Sequence, residues 1–185
     1  MNTNQDKDVK NDMTDTALLE AMTDNTEVKT RKTIIVFSGD FDKVMAAFII
    51  ANGAAAMDDD VTMFFTFWGL NALRRPEKVS TTGKSPLQKA FTVMMPRGPG
   101  RLRLSHMNFA GAGPKLMQRM MRQQKVMPLE DLIASAREQG VKMVACSMSM
   151  DVMGLKAEEL IDGLEFAGVA SYLGDADEAN VNLFI

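Results

Sequence analysis

Cysteine is nearly missing from this chain, whose 185 residues include only Cys146. A lone thiol excludes an internal disulfide and a cysteine-built zinc cage, and it suits a reducing compartment. Histidine also occurs once, at His106, and nothing in the sequence calls for a metal or a cofactor. The amino terminus lacks the apolar stretch of a secretory signal. No apolar run reaches the length of a membrane span, because Asn52 and Gly53 cut Val44–Met57. These absences make a cytoplasmic location the expectation. Acidic residues are missing from one long block: Lys78–Leu129 holds ten Lys/Arg and no Asp or Glu, which leaves eleven basic against 24 acidic residues elsewhere. Aromatics are scarce in that block too, with only Phe91 and Phe109. Stacking on single-stranded nucleic acid is therefore not expected. An acidic partner, an anionic membrane surface met peripherally, or the acidic remainder of its own homo-oligomer would each suit the block, and a solvated charged face is the plainest alternative.

What is present fits one domain with a sizeable core, at 46% hydrophobic and 24% charged residues. Residues 1–32 are polar and read as a flexible tail, with residues 33–185 as the folded domain. Thr33–Phe37 is a continuous β-branched and aromatic run, which predicts a buried strand. Asp40 is placed to cap the following helix, Lys43–Met57, which is apolar nearly all round and so is expected to be covered on more than one side. Val61–Trp68 is the second strand. Strand, helix and strand in that order imply a parallel βαβ unit. Prolines and glycines break up 69–113, with a short helix at Pro86–Met95. Pro114–Lys125 reads as a helix with Leu116, Met117, Met120 and Met121 on a packing side. Leu129–Gln139 is a further helix, Val141–Ala145 a strand, Lys156–Asp162 a short helix, Glu165–Val169 a strand, Ala170–Ala179 a helix and Val181–Phe184 the last strand. The fold class is thus α/β: a doubly wound, mainly parallel five-stranded sheet with helices on both faces. A long Met-rich basic insertion, about 69–127, follows strand 2. Eleven of the 17 methionines lie between Met94 and Met153.

Several motifs fail on their own chemistry. Gly83-Lys84-Ser85 has Lys at position 78, where a phosphate-binding loop needs Gly, and no buried strand leads into it. Gly111-Ala112-Gly113 lacks the third glycine of a dinucleotide fingerprint. The methionines are soft ligands suited to Cu(I), but a packing face is the simpler reading. Ser38-Gly39-Asp40 sits between a strand and a helix, where backbone N–H groups can hold a small anion or merely form a tight turn. The stretch that concentrates chemistry is Ala145-Cys146-Ser147-Met148-Ser149-Met150-Asp151. It places the thiol at a strand's end before a helical turn, whose amides and positive end favour thiolate, with Asp151 as a cap. His106 and Asn108, in the insertion, are candidates to reach that thiol as base or hydrogen-bond partner. A buried, inert cysteine is the competing reading.

With Ile34–Asp40, Phe65-Thr66-Phe67-Trp68-Gly69-Leu70, Leu104–Gly113 and the string from Ala145 to Gly154, the chain resembles the DsrE/DsrF/DsrH-like family. The likeness spans about Thr33 to Ile185. It implies a Rossmann-like α/β fold, oligomeric assembly, and sulfur transfer through a cysteine that carries persulfide sulfur. By position that cysteine is Cys146. Sulfur donor and acceptor proteins would then be its partners. Ser147, Met148 and Ser149, with Ser38, Gly39 and Asp40, would line the pocket, and the Met-rich insertion would form its lip. Some wider relatives carry a second thiol nearby; here only serines flank the cysteine. The alternative function is a non-catalytic, small-anion-binding or scaffold oligomer.

Overall fold

A computed structural model of the chain describes residues 29–78 and 82–185. Its centre is a five-stranded, all-parallel sheet in the order β4-β3-β2-β1-β5. The strands are β1 (Arg31–Val36), β2 (Asp60–Phe65), β3 (Lys142–Cys146), β4 (Glu165–Ala167) and β5 (Val181–Phe184). The helices are α1 (Phe41–Ala55), α2 (Pro86–Met94), α3 (Ala112–Gln123), α4 (Leu129–Glu138), α5 (Ser147–Met153) and α6 (Val169–Asp177). Because β1 begins at Arg31, Arg31 and Lys32 belong to the sheet and not to the tail; most of the expected tail lies outside the described residues.

The strand period of two sorts each strand's side chains onto two unequal faces. Ile34, Val36, Met63, Phe65, Met143 and Ala145 enter the main core with α1 and α4. Phe41, Val44, Met45, Phe48 and Ala51 recur at helical spacing along α1 and are its buried side. The other side of α1 is not covered as its composition suggests: Ile49 and Ile50 are exposed. The second face of the sheet carries a smaller cluster, Phe64, Val144, Cys146 and Tyr172, with α6 laid across it. Tyr172 packs against Phe64 in a tilted pair, 5.1 Å between ring centroids, and its hydroxyl lies 3.2 Å from Thr33 Oγ1.

The segment after β2 departs most from expectation. β2 stops at Phe65, and Phe67–Leu73 winds into a 3-10 helix in which Gly69 to Leu73 are fully buried. Gly69 has to be glycine, because a Cβ there would stand 2.1 Å from the carbonyl of Val36. The start of the presumed insertion is therefore core. At its other end, α3 buries only Gly113 and Pro114. Of the expected packing side only Met121 reaches the core, half-buried, while Leu116, Met117 and Met120 are exposed. The short helix expected at Lys156–Asp162 is a single 3-10 turn, Ala157–Glu159. No helix among the described residues is long and apolar enough to cross a membrane.

Candidate functional site

Cys146 is the last residue of β3, paired with Ala167 of β4, and it is also the residue that caps the start of α5. The helix thus begins at Ser147, directly after the thiol, and Asp151 lies inside it rather than capping it. Alternation along β3 sends Ala145 into the main core and turns Cys146 to the second face with Phe64, Val144 and Tyr172. The thiol is 2% exposed. Its side chain takes no capping hydrogen bond.

Three features hold α5 in place. Ser149 is fully buried, and its hydroxyl meets Thr66 Oγ1 at 2.7 Å, tying the helix to the end of β2. Gly154 ends the helix at φ 68°, and a Cβ there would approach Gln88 Cβ to 2.7 Å. Gln88 donates from Nε2 to the carbonyl of Asp151 (3.2 Å), so α2 braces α5 from the far side. Gln88 also closes a capping box with Ser85 at the start of α2.

That brace is rooted in a buried ionic cluster. The Glu159 carboxylate, 1% exposed, faces Arg74 (3.6 Å), Arg97 (3.5 Å) and Lys84, all buried or nearly so. Arg74 further donates to the carbonyls of Thr92 and Pro96, each at 3.1 Å. Burial, with Arg97 close by, pulls Arg74 down to about 10, against the upward pull of Glu159. Burial alone would raise the Glu159 carboxyl. The hydrogen bonds from Lys84 and the Lys156 amide and the charges of Lys84 and Arg74 outweigh it, and hold the group below its ordinary value. Lys84 is thus an internal ion-pair partner, which settles why Gly83-Lys84-Ser85 is not a phosphate loop.

The other candidate residues are not gathered around the thiol. Ser38, Gly39 and Asp40 line a separate cleft of about 340 Å³ at the end of β1, with Phe37, Trp68 and Asn71 among its other walls. Asn71 is 1% exposed and its Oδ1 has no partner among the described residues. The turn consumes most of its own donors: Ser38 N donates to the Ile185 carbonyl, Asp40 N to Ser38 Oγ, and Ser38 Oγ to Asp40 Oδ2. Asp40 does start α1, but its side chain makes no capping bond. His106 is exposed and no hydrogen bond links it to Cys146; Asn108 has a buried, unpartnered Oδ1. The partly buried hydrophobic residues packed on the Cys146 cluster are Ile35, Ala167 and Ala176. Sequence reasoning missed Thr66, Gln88, Tyr172 and Glu159. Only Thr66 carried a signal, as part of the Phe65–Leu70 string.

The chain has known relatives. A profile of the DsrE/DsrF/DrsH-like family matches residues 28–184. The chain belongs to that family. Over 160 residues it is 56% identical to the uncharacterized protein YrkE of Bacillus subtilis, covering 86% of this chain and 99% of that one. Over 156 residues it is 33% identical to the sulfur carrier protein DsrE2 of Allochromatium vinosum, covering 82% and 96% of the two chains. Among solved structures it is similar to a protein of unknown function, MTH1491 of Methanobacterium thermoautotrophicum, with TM-score 0.50 and 13% identity over 84% of this chain and 99% of that one. That last likeness speaks for the fold alone.

Proposed function

We propose that this protein relays sulfane sulfur, holding it as a persulfide on Cys146 between a donor and an acceptor protein. The observation that carries the reading is the placement of the sole thiol at the carboxyl end of β3, at the start of α5, in a chain one-third identical to a sulfur carrier. In open α/β sheets ligands meet the protein beyond the carboxyl ends of the strands. The Cys146 thiolate attacks the outer sulfur of a donor persulfide; that S–S bond breaks, the donor leaves as thiolate, and Cys146–S–SH forms. The acceptor's thiolate then attacks the same outer sulfur and Cys146 departs as thiolate. The two exchanges need no oxidant or reductant. With no second cysteine in the chain, disulfide release within the subunit is excluded, which favours such a hand-over between proteins.

A thiol this buried exchanges sulfur only when its cover opens. Partner binding is the natural trigger, and α6 presents Val169 and Leu173 as exposed apolar surface next to the Cys146 cluster. A donor, an acceptor or a second copy of this chain in a homo-oligomer would dock there. The test is intact mass after exposure to a persulfide donor. The expected result is a gain of one sulfur atom that reductant removes and Cys146→Ser lacks; an unchanged mass with Cys146 inert to alkylation in the folded protein overturns the reading.

The cleft beside Ser38–Asp40 favours a second reading, a binding protein without turnover. Its unpartnered Asn71 Oδ1 is a buried acceptor awaiting a donor. Under native conditions the same mass measurement would then show a retained small molecule, with Cys146 unmodified.

A further inference from the structure

We propose that α3 and the loop before it dock this protein peripherally on an anionic lipid surface. Along α3, Leu116, Met117 and Met120 are 60%, 38% and 52% exposed. Lys115, Arg119 and Arg122 stand exposed on the same helix. The loop leading into it adds Met107 and Phe109, 70% and 68% exposed. An isolated exposed apolar residue is ordinary, but a run of them on one short helix and its entry loop marks an interaction surface. The helix is strongly two-sided yet polar overall, and its cations adjoin its apolar residues. That is the pattern of a helix lying in the plane of a membrane interface, with aliphatic groups among the acyl chains and Lys/Arg heads reaching the phosphates.

Charge identifies the occupant. No carboxylate occurs from Lys78 to Leu129, so nothing in the segment repels an anionic surface. Among the described residues Lys115, Arg119, Arg122 and Lys125 enter no ion pair, and α3 itself carries no carboxylate that could claim them. A lipid surface meets the cations and the exposed apolar residues of this helix at once. An anionic bilayer supplies a continuous field of negative charge, worth about fivefold in binding per juxtaposed Lys or Arg.

The test uses the full chain with sedimenting vesicles of phosphatidylcholine alone or with phosphatidylglycerol, at low and raised salt. Cosedimentation is expected only with phosphatidylglycerol present and should fall as salt rises. Replacing Lys115, Arg119 and Arg122 together by Gln is expected to weaken it roughly a hundredfold. Leu116→Ser with Met120→Ser should abolish it while the charges remain, and both variants should melt with the wild type because the positions are exposed. Binding that both variants retain, or no binding at low salt, overturns the proposal. So does a drop in particle mass by light scattering in either variant, which would make this face a contact between copies.

Discussion

The two halves of the segment between β2 and α4 share a basic, methionine-bearing composition and use it in opposite ways. The first half, through Leu104, turns Lys84 and Arg97 inward, together with Arg74 just before the basic block, and closes them over Glu159. The second half leaves the cations of α3 in solvent beside exposed Leu116 and Met120. Composition does not separate them. What does is a carboxylate delivered from elsewhere in the chain: a buried cation needs a partner, and only the first half is given one. The first half thereby becomes framework for the Cys146 helix, and the second stays available for an outside partner.

The sharpest way to break this contrast is Glu159→Gln. It keeps the shape and leaves three buried cations without their counter-charge, so a loss of about 3–5 kcal/mol in unfolding free energy is expected by denaturant titration. Arg97→Gln removes one cation from an excess and should cost much less. Equal losses in the two variants would show that packing, not charge, holds the first half.

Acid should separate the halves more gently. Folding holds Glu159 below its ordinary value of 4.5 and Asp42 below 3.8. For Asp42, burial pushes upward and the two hydrogen bonds from Ser105, at 2.6 and 2.9 Å, more than reverse it. A depressed carboxyl takes up its proton more readily in the unfolded chain. Its contribution is therefore full above the ordinary value and fades as pH falls through the folded one. The melting temperature of the wild type should drop below about pH 4.5, and Glu159→Gln should flatten that slope in part, leaving the share owed to Asp42. An unaltered slope in the variant would remove Glu159 from the account.

Local pattern made much of this fold legible. Ile34-Ile35-Val36 and Met143-Val144-Ala145 can hardly be anything but buried parallel strands, Val181–Phe184 is found as read, and Leu129–Glu138 follows its acidic start and Gly140 stop. Cys146 at the end of β3 was legible for the same reason. The rest was not, because its causes are distant in sequence. Lys84 and Glu159 stand 75 positions apart, and Thr66 and Ser149 83 apart. Nothing distinguishes Glu159 from exposed Glu158 beside it. Phe67 and Trp68 read as the end of the second strand and Gly69 as the start of an insertion until Gly69 is seen pressed against Val36. The apolar side of α3 reads as core because periodicity reports two-sidedness and not what lies opposite.

The finest test asks whether the first half reaches the thiol. Gln88 links the two: its backbone takes the Ser85 cap, its Oε1 accepts from Ser85 N, and its Nε2 donates to Asp151 O in α5. Gln88→Ala keeps the Cβ that abuts Gly154 and removes the rest of the side chain with its amide, so a loss of about 1 kcal/mol is expected. If α5 is braced through this residue, the loss falls on local opening rather than global unfolding. Alkylation of Cys146 in native buffer should then speed up by several-fold while the denaturant midpoint moves little. A midpoint shift with unchanged alkylation would mean that α2 stabilises the domain without touching the access of sulfur to Cys146.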